Sequence, residues 1–129
     1  MATIDRHMTT SLLTVSAEER LPDAARKMAD RGVGAVVVLD AGRLVGILTE
    51  RDILRAVAAG RCEIVTVGER MTRHPETVES TDSTDHAAAL MIHGGFRHLP
   101  VVDGGEVKGI VSIRDLMKVA LDDRSPRGV

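Results

Sequence analysis

The chain has 129 residues, of which 43% are apolar and 28% charged, and its formal net charge is −2. That length suffices for one ordinary domain or two small ones packed together, each marginal alone. A near-neutral balance and a single aromatic residue, Phe96, exclude a broad electrostatic footprint for nucleic acid and a base-stacking surface.

No apolar run is long enough to span a bilayer, and residues 1–7 lack the apolar core of a signal peptide. Cys62 is the sole cysteine, so no internal disulfide can form. These features predict a cytoplasmic protein without membrane or nucleic-acid partners. With Trp and Tyr absent, the core must be built from Val, Leu, Ile, Ala and Met.

In chain order, a first strand is predicted near Thr14-Val15. A helix follows, carrying Leu21, Ala24, Ala25 and Met28 at i, i+3, i+4 and i+7. Ser16 and Glu19 have the spacing of a capping box for it, and Gly32 and Gly34 stop it. Residues 35–39 form a β-branched run that predicts a largely buried strand. Asp40-Ala41-Gly42-Arg43 is a turn, residues 44–48 return as the second strand of a hairpin, and 50–59 form a second helix ended by Gly60.

The same plan then recurs. Met8-Thr9 returns as Met71-Thr72, Thr14-Val15 as Thr77-Val78, and Ala24-Ala25 as Ala87-Ala88. Gly46-Ile47 returns as Gly109-Ile110 and Arg51-Asp52 as Arg114-Asp115, every pair 63 residues apart. The second hairpin is predicted over 99–102 and 107–111 about Asp103-Gly104-Gly105-Glu106, with a last helix over 113–121. The organisation expected is a first repeat in 1–60, a linker in 61–70, a second repeat in 71–121 and a flexible tail in 122–129, with Arg124 and Arg127 solvated.

Each repeat reads β-α-β-β-α. A strand–helix–strand unit gives a parallel pair, and the hairpin adds an antiparallel strand. The fold class is therefore mixed α/β (α+β). It consists of two small mixed sheets with helices on one side, related by a pseudo-twofold axis so that their bare faces bury each other. Pro100, which has no N–H to donate, suits an open or blunted sheet edge.

Two segments run from a strand end into a helix start: Gly46-Ile47-Leu48-Thr49-Glu50-Arg51-Asp52 and Gly109-Ile110-Val111-Ser112-Ile113-Arg114-Asp115. Each places a hydroxyl at the helix start and an Asp three residues on. One reading is a capping box that satisfies free helix N–H groups. The other is a ligand cradle, in which the helix start attracts phosphate, the hydroxyl donates to it, and the Asp accepts from ribose hydroxyls. Gly46 and Gly109 either admit a ligand close to the strand or permit tight packing. The histidines at 74, 86, 93 and 98 lack metal-ligand spacing with one another or with Cys62, so no metal is expected. No paired carboxylates and no nucleophile–base couple stand out, which argues against an enzyme such as a nucleotide hydrolase.

With Gly-h-h-[Ser/Thr]-x-x-Asp-h in both repeats, h being apolar, and with Gly34-Ala35-Val36-Val37-Val38-Leu39-Asp40 and Arg97-His98-Leu99-Pro100-Val101-Val102-Asp103, the chain resembles stand-alone tandem CBS-domain proteins (Bateman modules) over roughly residues 8–121. The resemblance implies a non-catalytic sensor without a catalytic cofactor, binding AMP, ADP or ATP in two clefts between the repeats. S-adenosylmethionine or NAD is the alternative ligand, and an interaction module without ligand the alternative role. It implies that Asp52 and Asp115 hold ribose, and that Thr49 and Ser112, helped by Arg51 and Arg114, face phosphate. Val33, Gly34 and Ala35 would serve the Asp115 cleft, and Phe96, Arg97 and His98 the Asp52 cleft, with His98 also able to reach phosphate in the Asp115 cleft. Replacement of Gly34-Ala35 by Arg97-His98 predicts unequal affinities. Apolar residues on the second helices, Ile53, Leu54 and Val57 with Leu116, Met117 and Ala120, predict a homodimer. Lacking an effector domain, such a module would pass its output to a separate, unidentified effector protein.

Overall fold

Strand β1 (Thr14–Val15) and helix α1 (Leu21–Arg31) begin the first repeat in a computed structural model whose described residues are 2–123. Strands β2 (Ala35–Asp40) and β3 (Arg43–Thr49) and helix α2 (Glu50–Ala58) follow. Next come a 3-10 turn at Cys62–Ile64, the short helix α3 (Val67–Arg70) and strand β4 (Thr72–Arg73). The second repeat supplies α4 (Thr84–Gly94), β5 (His98–Asp103), β6 (Glu106–Ser112) and α5 (Ile113–Asp123). Helix α5 includes Asp122, which the sequence assigned to the tail. The remainder of that tail, with Arg124 and Arg127, lies outside the described residues.

The chain divides into two units that are offset from the sequence repeats. One is Leu12–Pro75; the other joins the described residues of Met1–Ser11 to those of Glu76–Val129. The stretch expected to be a linker is thus built into the first unit. Val67 and Gly68 donate to the carbonyls of Glu19 and Ala17, and Leu21 donates to that of Val65. Val65 and Val67 are buried there. Ile4 and Asp5 make the equivalent bonds to Asp82 and Ser80 in the second unit, where Ile4 is fully buried. The 63-residue repeat therefore extends upstream of Met8, to Ile4 and Val67.

In the first unit the sheet order is β1-β2-β3-β4, with β1 parallel to β2 and the other pairs antiparallel. Val36 and Val38 share one face of β2 and join Val15, Leu21, Ala24, Met28, Leu48 and Ala56 in one apolar cluster. The period-2 alternation of the strand and the 3.6-residue period of the helices bring these side chains together. In the second unit Val78, Ala87, Met91, Leu99, Val101, Val111 and Leu116 form the matching cluster around Ile4. Both hairpins carry a register shift at the same place, between Val38 and Leu39 and between Val101 and Val102.

Pro100 lies inside β5 and is fully buried. Its carbonyl accepts from Val78, but it has no N–H to give the neighbouring strand. The parallel pairing is accordingly one bridge, Val78 to Val101, where the first unit pairs two residues, Thr14 with Val37 and Val15 with Val38.

Two local expectations change. Ser16 and Glu19 do not cap α1, whose N-cap is Arg20 without a side-chain bond. They close a turn instead, the Glu19 carboxylate accepting from the Ser16 N–H at 2.9 Å. Glu79 and Asp82 close the same turn in the second repeat, at 2.8 Å. There the true helix cap is Ser83, which accepts from the His86 N–H. The hairpin tip of the second unit is tied down as well: hydrogen bonds from Ser80 hold the Asp103 carboxyl below its ordinary value.

At the first hairpin tip, Ala41 and Gly42 have φ of 49° and 80°. Two positive φ angles are the signature of a type I′ turn. A left-handed non-glycine residue costs roughly 1–2 kcal/mol. The second hairpin places Gly104 at that position with φ of 57°. Ala41→Gly is therefore expected to stabilise the protein by about 1 kcal/mol after the added unfolded-state entropy is subtracted. Chemical denaturation should show a higher midpoint with an unchanged slope.

Candidate functional site

Helices α2 and α5 start directly at the ends of β3 and β6, because Thr49 and Ser112 leave the strand in extended geometry and cap the helix with their side chains. In the first unit the Asp52 carboxylate Oδ2 accepts from the Thr49 backbone N–H at 2.9 Å and from its hydroxyl at 3.1 Å, while the Asp52 N–H donates to Thr49 Oγ1 at 3.4 Å. In the second, Asp115 Oδ2 accepts from the Ser112 N–H at 2.8 Å and the Asp115 N–H donates to Ser112 Oγ at 3.1 Å. Capping is thus realised at both helix starts. It engages only one oxygen of each carboxylate: among the described residues, Oδ1 of Asp52 and of Asp115 carries no hydrogen bond. Both Asp residues are half-buried, and Arg51 and Arg114 beside them are exposed.

The loop before each hairpin closes over the same helix start. The Gly34 carbonyl accepts from the Glu50 N–H at 3.0 Å, and the Arg97 carbonyl from the Ile113 N–H at 2.8 Å. Ala35 pairs with Thr49, and His98 with Ser112. In the first unit the structure therefore brings Val33, Gly34 and Ala35 to Thr49, Arg51 and Asp52. In the second it brings Phe96, Arg97 and His98 to Ser112, Arg114 and Asp115. Val33 packs on the first apolar cluster. Phe96 packs on the second, with its ring so close to Gly94 that a Cβ there would lie 1.9 Å from a ring carbon.

Gly46 and Gly109 are packing residues. A Cβ on Gly46 would stand 2.5 Å from the Met71 sulfur and 2.9 Å from the Thr72 carbonyl oxygen. On Gly109 it would stand 2.9 Å from the Met8 sulfur and 2.7 Å from the Thr9 carbonyl oxygen. The packing role is realised at both glycines, and the recurrence of Met-Thr with Gly-Ile is explained by this contact. Sequence reasoning did not single out Glu50, whose carboxylate lies against Gly34; Oε1 is 3.3 Å from where a Gly34 Cβ would be. The available signal was the exchange of Gly34 and Glu50 for Arg97 and Ile113 across the repeat.

Among the described residues no group of three or more His, Cys, Asp or Glu side chains is placed to hold a metal ion, and no helix is long and apolar enough to cross a membrane.

The sequence pattern of the CBS domain matches residues 3–59 and again 66–122. The chain belongs to the CBS-domain family. It is 38% identical over 117 residues to the CBS domain-containing protein YhcV of Bacillus subtilis, covering 90% of this chain and 84% of that one. Its fold superposes on the CBS domain pair of protein MJ0100, solved with 5′-methylthioadenosine and S-adenosyl-L-methionine, with a TM-score of 0.89. That match has 26% identity and covers 95% of this chain and 98% of the other. It superposes on CBSX2, solved in complex with AMP, with a TM-score of 0.83 and 27% identity, over 96% and 99% of the two chains. The chain is thus a tandem CBS pair, of mixed α/β fold with small mixed sheets, whose structural relatives bind small adenosine ligands.

Proposed function

We propose that this CBS pair is a non-catalytic regulatory sensor that binds AMP, ADP or ATP. The carrying observation is the duplicated helix start, in which a capping Asp keeps one carboxylate oxygen free for a ribose diol beside a helix N-terminus that favours phosphate. Asp52 and Asp115 would accept from ribose, and Thr49, Ser112, Arg51 and Arg114 would contact phosphate. Val33, Gly34, Ala35, Phe96, Arg97 and His98 would wall the ligand. Binding of AMP by CBSX2, and of two adenosyl compounds by MJ0100, supports this reading. A cytoplasmic location agrees with the free Cys62.

A homodimer is part of the proposal. Ile53 and Leu116 pack on their own cores. Leu54 and Val57 on α2 and Met117 and Leu121 on α5 remain exposed, by 56–67%. Such paired apolar stripes suit a second copy of the chain.

The second reading is an interaction module without ligand, favoured by caps that are complete within the protein itself. Thermal-shift titration with AMP and ATP separates the two. At a hundredfold excess over Kd, a ligand bound only to the folded state adds about 2.7 kcal/mol, a rise of roughly 10 °C for a domain of this size. A flat response to every adenosyl compound leaves the interaction module as the better reading.

A further inference from the structure

The two units build the same helix pair but finish its outer side differently. On α1 the exposed residues carry charge: Arg26 pairs with Asp23, Lys27 pairs with Glu19 at 2.6 Å, and Asp30 is exposed on the same helix. On α4, 63 residues later, Ala89, Leu90 and His93 replace Arg26, Lys27 and Asp30, and Ile92 replaces Ala29. No Asp, Glu, Lys or Arg occurs between His86 and Gly95. Helix α5, which packs against α4, adds Met117 and Leu121. Ala87, Met91 and Leu116 already fill the core beneath the two helices. Ile92, Met117 and Leu121 are surplus to it, 59–75% exposed. An apolar stripe across two adjoining helices is the mark of a surface that a partner covers.

Charge complementarity identifies the partner. Lys118 and Asp122 are exposed one turn apart along one flank of the Met117–Leu121 stripe, and neither has an ion pair among the described residues. Let two copies of α5 pack antiparallel about a twofold axis midway between these positions. Lys118 of each copy then faces Asp122 of the partner subunit, and the apolar residues meet their own kind. Helix α2 has no such self-complement, since Arg55 and Ala59 stand in those places. Set against α5 of a second copy, α2 would leave Lys118 opposite an alanine. Its neighbour α1 would also lay Arg26, Lys27 and Asp30 over Ile92, taking charges from water without giving them new partners.

We infer that the α4–α5 face of the second unit docks on the same face of a second copy, with Lys118–Asp122 pairs formed twice across a twofold axis and Ile92, Met117 and Leu121 covered, while the charged face of α1 stays in water. This rests on the homodimer reading above and names the surface and the pairing that form the dimer. The repeat thus carries a division of labour: the same helix pair is finished for solvent along α1 in one unit and for self-association in the other.

The test is the dimer dissociation constant of the full chain, measured by sedimentation velocity over a dilution series. Lys118→Asp should weaken the dimer about tenfold or more, because two ion pairs become two like-charge contacts. Combining it with Asp122→Lys restores both pairs with their signs exchanged, and should return the constant to within about threefold of the wild type. Ile92→Asp should weaken the dimer at least about tenfold, since it places a charge in the covered stripe. Ala29→Asp, at the equivalent place on α1, should leave the constant unchanged. All four positions are exposed, and circular dichroism checks that each variant is folded. A Lys118→Asp dimer as tight as the wild type, or no rescue by the double variant, overturns the inference, because Lys118 then does not face Asp122 of the partner subunit. Equal weakening by Ala29→Asp and Ile92→Asp, or by neither, overturns it too. The homodimer reading survives each of these results. A wild type that is monomeric at micromolar concentration overturns both.

Discussion

Gly109→Ala is expected to destabilise the protein by about 2–3 kcal/mol, in the range of core overpacking, and Gly46→Ala by a similar amount. In each case the new methyl meets a carbonyl oxygen of the adjoining segment, at 2.7 Å from Thr9 or 2.9 Å from Thr72. Backbone cannot swing aside as a side-chain tip can, and Thr9 is held by two hydrogen bonds to Ile110, at 2.8 and 3.0 Å. The strand pairing must open, or β6 must bend away from residues 8–9. Gly34→Ala is the control: its methyl would meet only the flexible Glu50 carboxylate, at 3.3 Å, so its effect on stability should stay below about 1 kcal/mol. Urea denaturation of the three variants checks this. Near-wild-type stability of Gly109→Ala would mean that the close approach of residues 8–9 to β6 is not maintained in solution.

The same contact shows what local sequence can and cannot reveal. The recurrence of Met-Thr and of Gly-Ile at one interval is visible by inspection, and the strands, hairpins and four long helices follow from periodicity and turn residues. Which Met-Thr meets which Gly is a matter of chain path, and no local propensity encodes it. Met8-Thr9 lies beside Gly109, and Met71-Thr72 beside Gly46, so each repeat is completed by a segment that sequence order assigns elsewhere. Residues 61–70 looked like a linker because their helical turns are too short to show a period. Their burial rests on two side chains, Val65 and Val67, and the sequence signal for it is the copy of Val67 at Ile4, 63 residues earlier. Ser16 and Glu19 misled for a related reason. A capping-box spacing also closes a plain turn, and the backbone bonds from residues 65–68 delay α1 until Leu21.

The candidate site was more legible than its chemistry. Hydroxyl and Asp three residues apart at a strand–helix junction predicted both caps, which form as expected. Capping and ligand binding use the same atoms, however, so that pattern alone could not separate them. The free Oδ1 on each Asp and the Glu50–Gly34 contact are features of side-chain direction, which sequence spacing does not specify.

The substitution that separates capping from binding is Asp to Ala at each helix start. Under the capping account alone, Asp52→Ala or Asp115→Ala removes the N3 half of the capping box, about 0.5–1.5 kcal/mol of stability, and alters no ligand response. Under the sensor reading each variant loses the same cap and also loses ribose contacts in its own site. A charge-assisted hydrogen bond contributes about 1.5–3 kcal/mol, so affinity at that site should fall roughly 10- to 100-fold while the other site keeps its own. Asp→Asn keeps an acceptor at the helix start and removes the charge. Asp52→Asn and Asp115→Asn should therefore recover most of the stability and little of the affinity. Arg97→Ala should weaken ATP more than adenosine, because only the phosphate needs its charge. The measurement is calorimetric titration of each variant with ATP and adenosine, with melting curves alongside. If every Asp variant binds ATP as the wild type does while its melting temperature drops, the two carboxylates are caps and nothing more, and nucleotide binding by these helix starts is wrong.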